Sequence, residues 1–440
     1  MAATSIRPLY RNALYPSAIN VRMFAMDIGR FILLLAIACI PSVGRELAMV
    51  ILIVMACGNP TSTLKSLAAG TLITFLNPAL IAMSGDSSPI VGGLKWVLLF
   101  VACGRSLLSR VEPSKAYMRL IYSWMMMTAA LLVNSLFISV LPSISVFKTI
   151  SFSLGILCVI RLAMLTAKRN DEMLLSVAAL GTAIFVTSVP LLVFAAGRSR
   201  NGVAFNGVLS HPQSLGVVLL MTGAVTFAIG FKSPQLQRIL FVSGLAQWLM
   251  IVPTAARTPL MALAIGGVVY LFEIVTRREG TKIGYLLTPV SAIAITGLLV
   301  LAVMTPGVSE GFASYLLKGK NASFDPNNPE LSLSESSRGP QVFDTLGLAE
   351  EHPLFGAGFG VDEDTGINFD ESKTLYGVPL TAPIEQGFLP LATLAQLGIV
   401  GSIFVVIFGV MMFRLAHRES GETSALFAAI VGVNFGEMII

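Results

Sequence analysis

The chain has 440 residues, of which 55% are hydrophobic and only 12% charged, with a net charge of +5 and a mean hydropathy of +0.81. A soluble domain carries roughly 25% charged residues, so these figures exclude one and describe a polytopic membrane protein, a single integral helix bundle. The positive balance does not point to nucleic acid, because the basic residues fall mainly in short connections, where they set membrane orientation.

Met1 to Asp27 is polar and carries Arg7, Arg11 and Arg22 ahead of an apolar run that lacks a small-residue cleavage site, so the first span is expected to be an anchor rather than a cleaved signal. Cutting the sequence at charges and Pro/Gly clusters, with about 20 apolar residues per crossing, predicts spans near 28–44, 46–63, 66–85, 88–104, 119–140, 145–167, 173–196, 215–231, 238–254, 258–274, 283–305, 387–413 and 423–440. The expected fold class is all-α, a polytopic bundle of about 12 to 13 transmembrane helices. Arg7/Arg11/Arg22, Lys65, Arg105/Arg110/Lys115/Arg119, Lys168/Arg169, Lys232/Arg238, Arg277/Arg278/Lys282 and Arg414/Arg418 then fall on one face, which is expected to be cytoplasmic along with the N-terminus. Cys39, Cys57, Cys103 and Cys158 lie in apolar runs without CxxC spacing and are expected to be buried small hydrophobes.

The opposite face receives two long connections, around 197–214 and around 306–386, and the second is longer than a packed bundle requires, a sign of function. Within it Leu346, Leu348, Leu354, Phe355 and Phe359 suggest a short amphipathic helix over the bundle, and Asp325-Pro326-Asn327-Asn328-Pro329 a turn. Its many carboxylates, from Glu335 to Glu385, describe a solvated surface first and a site second.

Four arginines, Arg198, Arg200, Arg257 and Arg338, fall on this outer face, where positive residues are unusual. Arg198 and Arg200 sit in Gly197-Arg-Ser-Arg-Asn-Gly202, followed by Asn206-Gly207 and by His211-Pro-Gln-Ser-Leu-Gly216 at the mouth of a span. Guanidinium groups hold phosphate through paired charge-assisted hydrogen bonds, and glycines allow close backbone approach; the plainer alternative is snorkelling onto lipid head groups. Arg257 stands alone in Thr254-Ala-Ala-Arg-Thr-Pro259 between two spans, where burial in hydrocarbon would cost up to roughly 3 kcal/mol, so a wet cavity or an anion is expected beside it. Arg338 ends Ser334-Glu-Ser-Ser-Arg and leads to Glu351-His352-Pro353-Leu-Phe-Gly356-Ala-Gly358-Phe-Gly360, which lacks the preceding strand of a dinucleotide fingerprint. Ala382-Pro-Ile-Glu385-Gln386 places a carboxylate at a span mouth, where partial desolvation suits it to general-base work or leaves it a simple interfacial charge.

In order, these are an outer-face arginine with an Asn/Gly-rich turn and a Pro-x-x-Leu-Gly segment, an Ala-Arg-Thr helix start, a large outer loop with Arg338 and Pro353-Leu-Phe-Gly-Ala-Gly-Phe-Gly360, and Phe388-Leu389 leading to Ala395-Gln-Leu-Gly-Ile-Val-Gly401. Over about 197–403 this pattern resembles the O-antigen ligase and Wzy-type polysaccharide polymerase superfamily, membrane glycosyltransferases of the GT-C kind. The resemblance divides the chain into N-terminal transmembrane helices, 1–196, and a ligase/polymerase-like core, 197–440, with a periplasmic loop at 306–386. It implies a metal-independent enzyme, without cofactor, in a bacterial inner membrane, acting on an undecaprenyl-diphosphate-linked oligosaccharide at the periplasmic face. Membrane lipids, a flippase and a chain-length regulator are the partners it implies.

The expected roles follow from that resemblance together with the chemistry of the residues. Arg198, Arg200, Arg257 and Arg338, with His211, would bind diphosphate and substrate, and arginine would offset the charge developing on the leaving diphosphate. Ligases of the superfamily tend to carry a histidine where this chain has Glu385-Gln386, so Glu385 is expected to be the base, with His352 second, and a polymerase is favoured over a ligase acting on lipid A core. Only three histidines occur and His417 is on the inner face, so no metal cluster is expected; Asp362-Glu363-Asp364 mimics a metal-binding DxD but is expected to be solvated loop. A transporter or a non-catalytic scaffold is the alternative from another class, although no internal repeat of the spans supports a carrier.

Overall fold

Prolines and polar caps decide where many of the helices start. Pro60, Pro142 and Pro212 each occupy the first turn of a helix, where the missing N–H costs nothing, and the Asn59 side chain accepts from Ser62 N at 2.8 Å. The computed structural model describes residues 21–81, 89–199, 204–233, 235–279, 339–361, 374–375, 378–379, 389–419 and 430. Along them run α1 (Val21–Ala38), α2 (Gly44–Ala56), α3 (Pro60–Thr74), α4 (Pro78–Ile81), α5 (Pro89–Leu108), α6 (Lys115–Phe137), α7 (Pro142–Thr166), α8 (Asn170–Ser188), α9 (Pro212–Lys232), α10 (Gln237–Leu249), α11 (Arg257–Glu279), α12 (Gly339–Glu351) and α13 (Leu389–Glu419). A two-residue antiparallel pair, Thr374–Leu375 with Val378–Pro379, is the one sheet among the described residues.

The all-α membrane reading therefore stands. Six helices among the described residues are long and apolar enough to cross a bilayer: Ile90–Leu108, Lys115–Phe137, Pro142–Thr166, Asn170–Val193, Pro212–Lys232 and Leu391–His417. They match the expected spans near 88–104, 119–140, 145–167, 173–196, 215–231 and 387–413. The span expected at 28–44 is displaced: α1 begins at Val21 and takes in Arg22, Asp27 and Arg30, charges that disqualify it as a simple apolar crossing. Those expected at 46–63 and 66–85 are replaced by the shorter α2 and α3, because Asn59-Pro60 caps a new helix inside the first of them. The span at 238–254 shortens to the 13-residue α10, ended by the turn Val252–Thr254 around Pro253. The span expected at 258–274 lies within α11, whereas 283–305 and nearly all of 423–440 lie outside the described residues.

Small residues let the helices close on one another. A β-carbon on Gly181 of α8 would lie 2.2 Å from Thr222 Oγ1, one on Gly223 of α9 would meet the Trp248 ring nitrogen at 2.5 Å, and one on Gly244 of α10 would meet the Phe227 ring at 2.8 Å. Between these helices lies the fully buried Gln247, whose Oε1 accepts from Thr222 Oγ1 at 2.7 Å and whose amide donates to Ser243 Oγ at 3.2 Å. The largest apolar cluster runs through α1, α2, α3, α5, α8 and α9.

Cross-contacts sort the connections into two ends. At one, Lys65 meets Asp27 at 3.0 Å, Arg105 Nε donates to Gly58 O at 2.8 Å, and Arg161 donates to Ser106 O and Ser109 O at 3.1 Å. At the other, Asn77 N donates to Val208 O, Ser210 N to Phe75 O, Phe205 N to Pro253 O and Val140 N to Ala357 O. Lys65, Arg105 and Lys232 lie at the first end, whereas Arg198 lies at the second together with Arg45 and Lys148, so the described cations are divided between the two ends less cleanly than the charge pattern predicts. The cysteines are less uniform than expected. Cys103 and Cys158 are buried, but Cys57 is exposed where α2 ends and Cys39 is half-buried where α1 ends, because those two helices stop short of the predicted spans.

Candidate functional site

Two of the sequence stretches meet in one open cavity of about 850 Å³, lined among others by Asn77, Arg198, Asn206, His211, Gln213 and Thr254. The wall carrying Arg198 is a tight loop. After the turn Ala195–Gly197 the chain extends, Arg198 bridges antiparallel to Phe205, and Ser199 N donates to Ala204 O at 2.8 Å. Asn206 N and Gly207 N both donate back to Gly197 O, at 2.8 and 3.1 Å. Gly207 has φ 57°, and a β-carbon there would lie 2.5 Å from Ser188 Oγ, so only glycine suits the turn. Arg198 is exposed, and Arg200 lies outside the described residues.

His211 ends the loop as the N-cap of α9, its Nδ1 accepting from Gln213 N at 3.3 Å, which places the neutral ring's proton on Nε2. Pro212 and Gln213 of the first turn of α9 also line the cavity, but Pro212 carries no N–H and the Gln213 N–H is taken by His211, so the helix start is already capped.

The opposite wall comes from the α10–α11 connection. Ala255 is left-handed, φ 50°, an uncommon conformation for a residue with a β-carbon, held as Thr254 Oγ1 donates to Ile251 O and accepts from Ala256 N. The start of α11 is then seated against α9: a β-carbon on Gly216 would come within 2.9 Å of Pro259 Cγ and 3.1 Å of Ala256 Cβ. Gly216 of the first stretch and Pro259 of the second are thus mated surfaces, and Arg257, the first residue of α11, begins its helix beside that contact. The Arg257 side chain lies outside the described residues.

Asn77 was missed by the sequence reading. It is 2% exposed and donates to Ala196 O at 2.7 Å and Gly207 O at 2.9 Å while accepting from Ala79 N at 2.9 Å, so the α3–α4 link holds both sides of the arginine loop. The signal available was the Asn77-Pro78 dipeptide at the end of an apolar run, a turn marker.

The Gly356-Ala-Gly358-Phe-Gly360 stretch joins a different structure. It straps a break in α13, where Gly398 has φ 61° and ψ −171°. Ala357 N and Gly358 N donate to Ala395 O and Gln396 O, and Ile399 N and Val400 N donate to Pro353 O and Leu354 O, which satisfies the groups the break releases. Asn134 of α6 accepts from Phe359 N at 3.0 Å and donates to Phe355 O; Gln396 Oε1 accepts from Gly360 N at 2.8 Å and Lys148 Nζ donates to Gly360 O at 2.6 Å. The expected amphipathic helix is corrected accordingly: α12 ends at Glu351 with Leu348 buried against Ala395, while Leu354, Phe355 and Phe359 belong to the strap.

His352 is exposed in the turn closing α12, its N–H on Leu348 O, and is not among the residues lining the cavity. Arg338, immediately before α12, Glu385, before α13, and Asp362 to Asp364 lie outside the described residues, as do Asp325 to Pro329. Among the described residues no three His, Cys, Asp or Glu side chains gather into a set able to hold a metal ion. Compared with known proteins, the chain matches no family model and no curated sequence.

Proposed function

We propose that this protein is a GT-C-like, metal-independent glycosyltransferase of a bacterial inner membrane, with a periplasmic 306–386 loop, that polymerises oligosaccharide repeat units carried on undecaprenyl diphosphate. The observation that supports it most is the cavity joining the Gly197–His211 segment to Thr254 and Ala255, at the bundle end opposite Lys65 and Arg105. A lipid-linked diphosphate needs cations at the top of apolar helices, and this end offers Arg198, with His211 beside it, on the cavity wall. In the reaction an acceptor hydroxyl forms a bond to the anomeric carbon as the bond to the diphosphate breaks, and the electron pair leaves on the diphosphate. Arg198, Arg200, Arg257 and Arg338 are the residues assigned to that charge. Glu385 is assigned to take the hydroxyl proton, with His352 the second choice.

The test is polymer length in cells complemented with wild type, Arg257→Ala, Arg338→Ala or Glu385→Gln at equal membrane expression. Single lipid-linked repeat units should accumulate in the variants. Normal chains from all three would remove the assignment, and normal-length polymer left unattached in a deletion strain would make the protein a ligase.

A further inference from the structure

The cavity offers more neutral hydrogen-bonding groups than a diphosphate requires, and one of them is unsatisfied. Asn206 is 6% exposed, its N–H is bound to Gly197 O at 2.8 Å, and its Nδ2 donates to Ser210 O at 3.4 Å. Its Oδ1 is shielded from bulk water and has no hydrogen-bond partner. Exchanging the two amide atoms does not cure this, because it sets oxygen against the Ser210 carbonyl oxygen. Folded proteins seldom leave a buried acceptor unpaired. The same residue lines the cavity with Arg198, so the missing donor has an available source.

The chemistry of that donor is constrained. An amide oxygen repels phosphate oxygens, so the diphosphate held near Arg198 is not what satisfies it. A cationic donor is disfavoured by the Arg198 charge in the same cavity. A neutral hydroxyl fits both conditions, and about 850 Å³ exceeds what a diphosphate alone fills.

Resting on the proposed glycosyltransferase reading, we propose that Asn206 Oδ1 accepts a hydrogen bond from a hydroxyl of the sugar attached to the diphosphate, which makes the cavity a joint phosphate and sugar site. Because Oδ1 is covered, the hydroxyl reaches it through a local shift of the Ala204–Leu209 turn as the ligand seats. Asn206 is then a specificity residue: it distinguishes a sugar-bearing lipid diphosphate from a bare one.

The experiment measures binding of the purified full chain in nanodiscs to two probes, farnesyl diphosphate and farnesyl diphosphate carrying one N-acetylglucosamine. Wild type should bind the sugar-bearing probe about tenfold more tightly, the worth of one well-made hydrogen bond. Asn206→Ala should erase that difference and leave farnesyl diphosphate binding unchanged, whereas Arg198→Ala should weaken both probes. If Asn206→Ala keeps the difference, weakens both probes equally, or if wild type binds the two probes alike, the inference is overturned and the glycosyltransferase reading survives. Binding of neither probe by wild type would overturn both.

Discussion

Gly356 and Gly398 are reciprocal halves of one contact: a β-carbon on Gly356 would lie 2.2 Å from the carbonyl carbon of Gln396, and one on Gly398 would lie 2.3 Å from that of Leu354. Both glycines have positive φ, 71° and 61°, so each is excluded from alanine by its own backbone as well as by its neighbour. A left-handed β-carbon costs about 1–2 kcal/mol and overpacking about 1–3 more. Gly356→Ala or Gly398→Ala should therefore destabilise the protein by about 2–5 kcal/mol. Thermal unfolding in detergent should show it for either variant, and the double variant should be no better than the worse single one.

That contact also marks what the sequence could reveal. The helical membrane class was legible because six apolar runs are long enough to cross without help. Gly356 and Gly358 were visible as a turn, but their partner was not: a glycine pattern states that backbone comes close without naming the backbone it approaches. Likewise Gly216 and Pro259 were noted in separate stretches, and only the packing of α11 on α9 joined them. Asn77 escaped because the two carbonyls its side chain donates to are set by the return of a segment more than a hundred residues later. The short helices α2 and α10 were overestimated because hydropathy does not register a cap such as Asn59-Pro60 inside an apolar run.

Asn77→Leu should loosen the arginine loop. It leaves the carbonyls of Ala196 and Gly207 without the donors they now have at 2.7 and 2.9 Å, in a place that is 2% exposed. Each lost partner costs about 1–3 kcal/mol when the remaining group stays dry, so a loss of about 2–6 kcal/mol is expected for the two. Limited proteolysis within 197–211 should become faster in the variant; unchanged cleavage would show that the loop is held without Asn77.

The orientation of the bundle can be read from two native thiols. Cys57 is exposed at the end that carries Arg105 and Gly58, whereas Cys39 is half-buried at the opposite end, where α1 turns into α2. Burial pushes the Cys39 thiol up, partly opposed by the charge of Arg45. With the Lys65 end cytoplasmic, a membrane-impermeant maleimide should label Cys57 only after the membrane is opened. Cys39 should label slowly from outside, and faster as pH rises toward its raised pKa, since the thiolate is the reactive form. Labelling of Cys57 in intact spheroplasts would invert the proposed topology and move the arginine cavity to the cytoplasm.

At the other end, Asp27 ties three helices: Lys65 Nζ lies 3.0 Å from its carboxylate, Ser176 Oγ donates to it at 2.6 Å, and its side chain is 5% exposed. Arg30 also reaches it at 3.4 Å but is 66% exposed on its own side chain, so that pair contributes little, and Arg30→Ala should cost less than about 1 kcal/mol. Asp27→Ala is different in kind, because it strands the Lys65 ammonium, 14% exposed, leaving it among the described residues with Glu172 at 4.0 Å. Removing one partner of a buried pair costs about 3–5 kcal/mol, and the residual Glu172 contact places this variant near the lower bound. Ser176 loses less, since its hydroxyl also reaches Glu172 O at 3.1 Å. If the penalty is the stranded charge rather than lost packing, Asp27→Leu combined with Lys65→Met should unfold within about 1 kcal/mol of wild type, while Asp27→Leu alone does not. A double variant as unstable as the single would assign the cost to the packing of α1 against α3 and α8 instead.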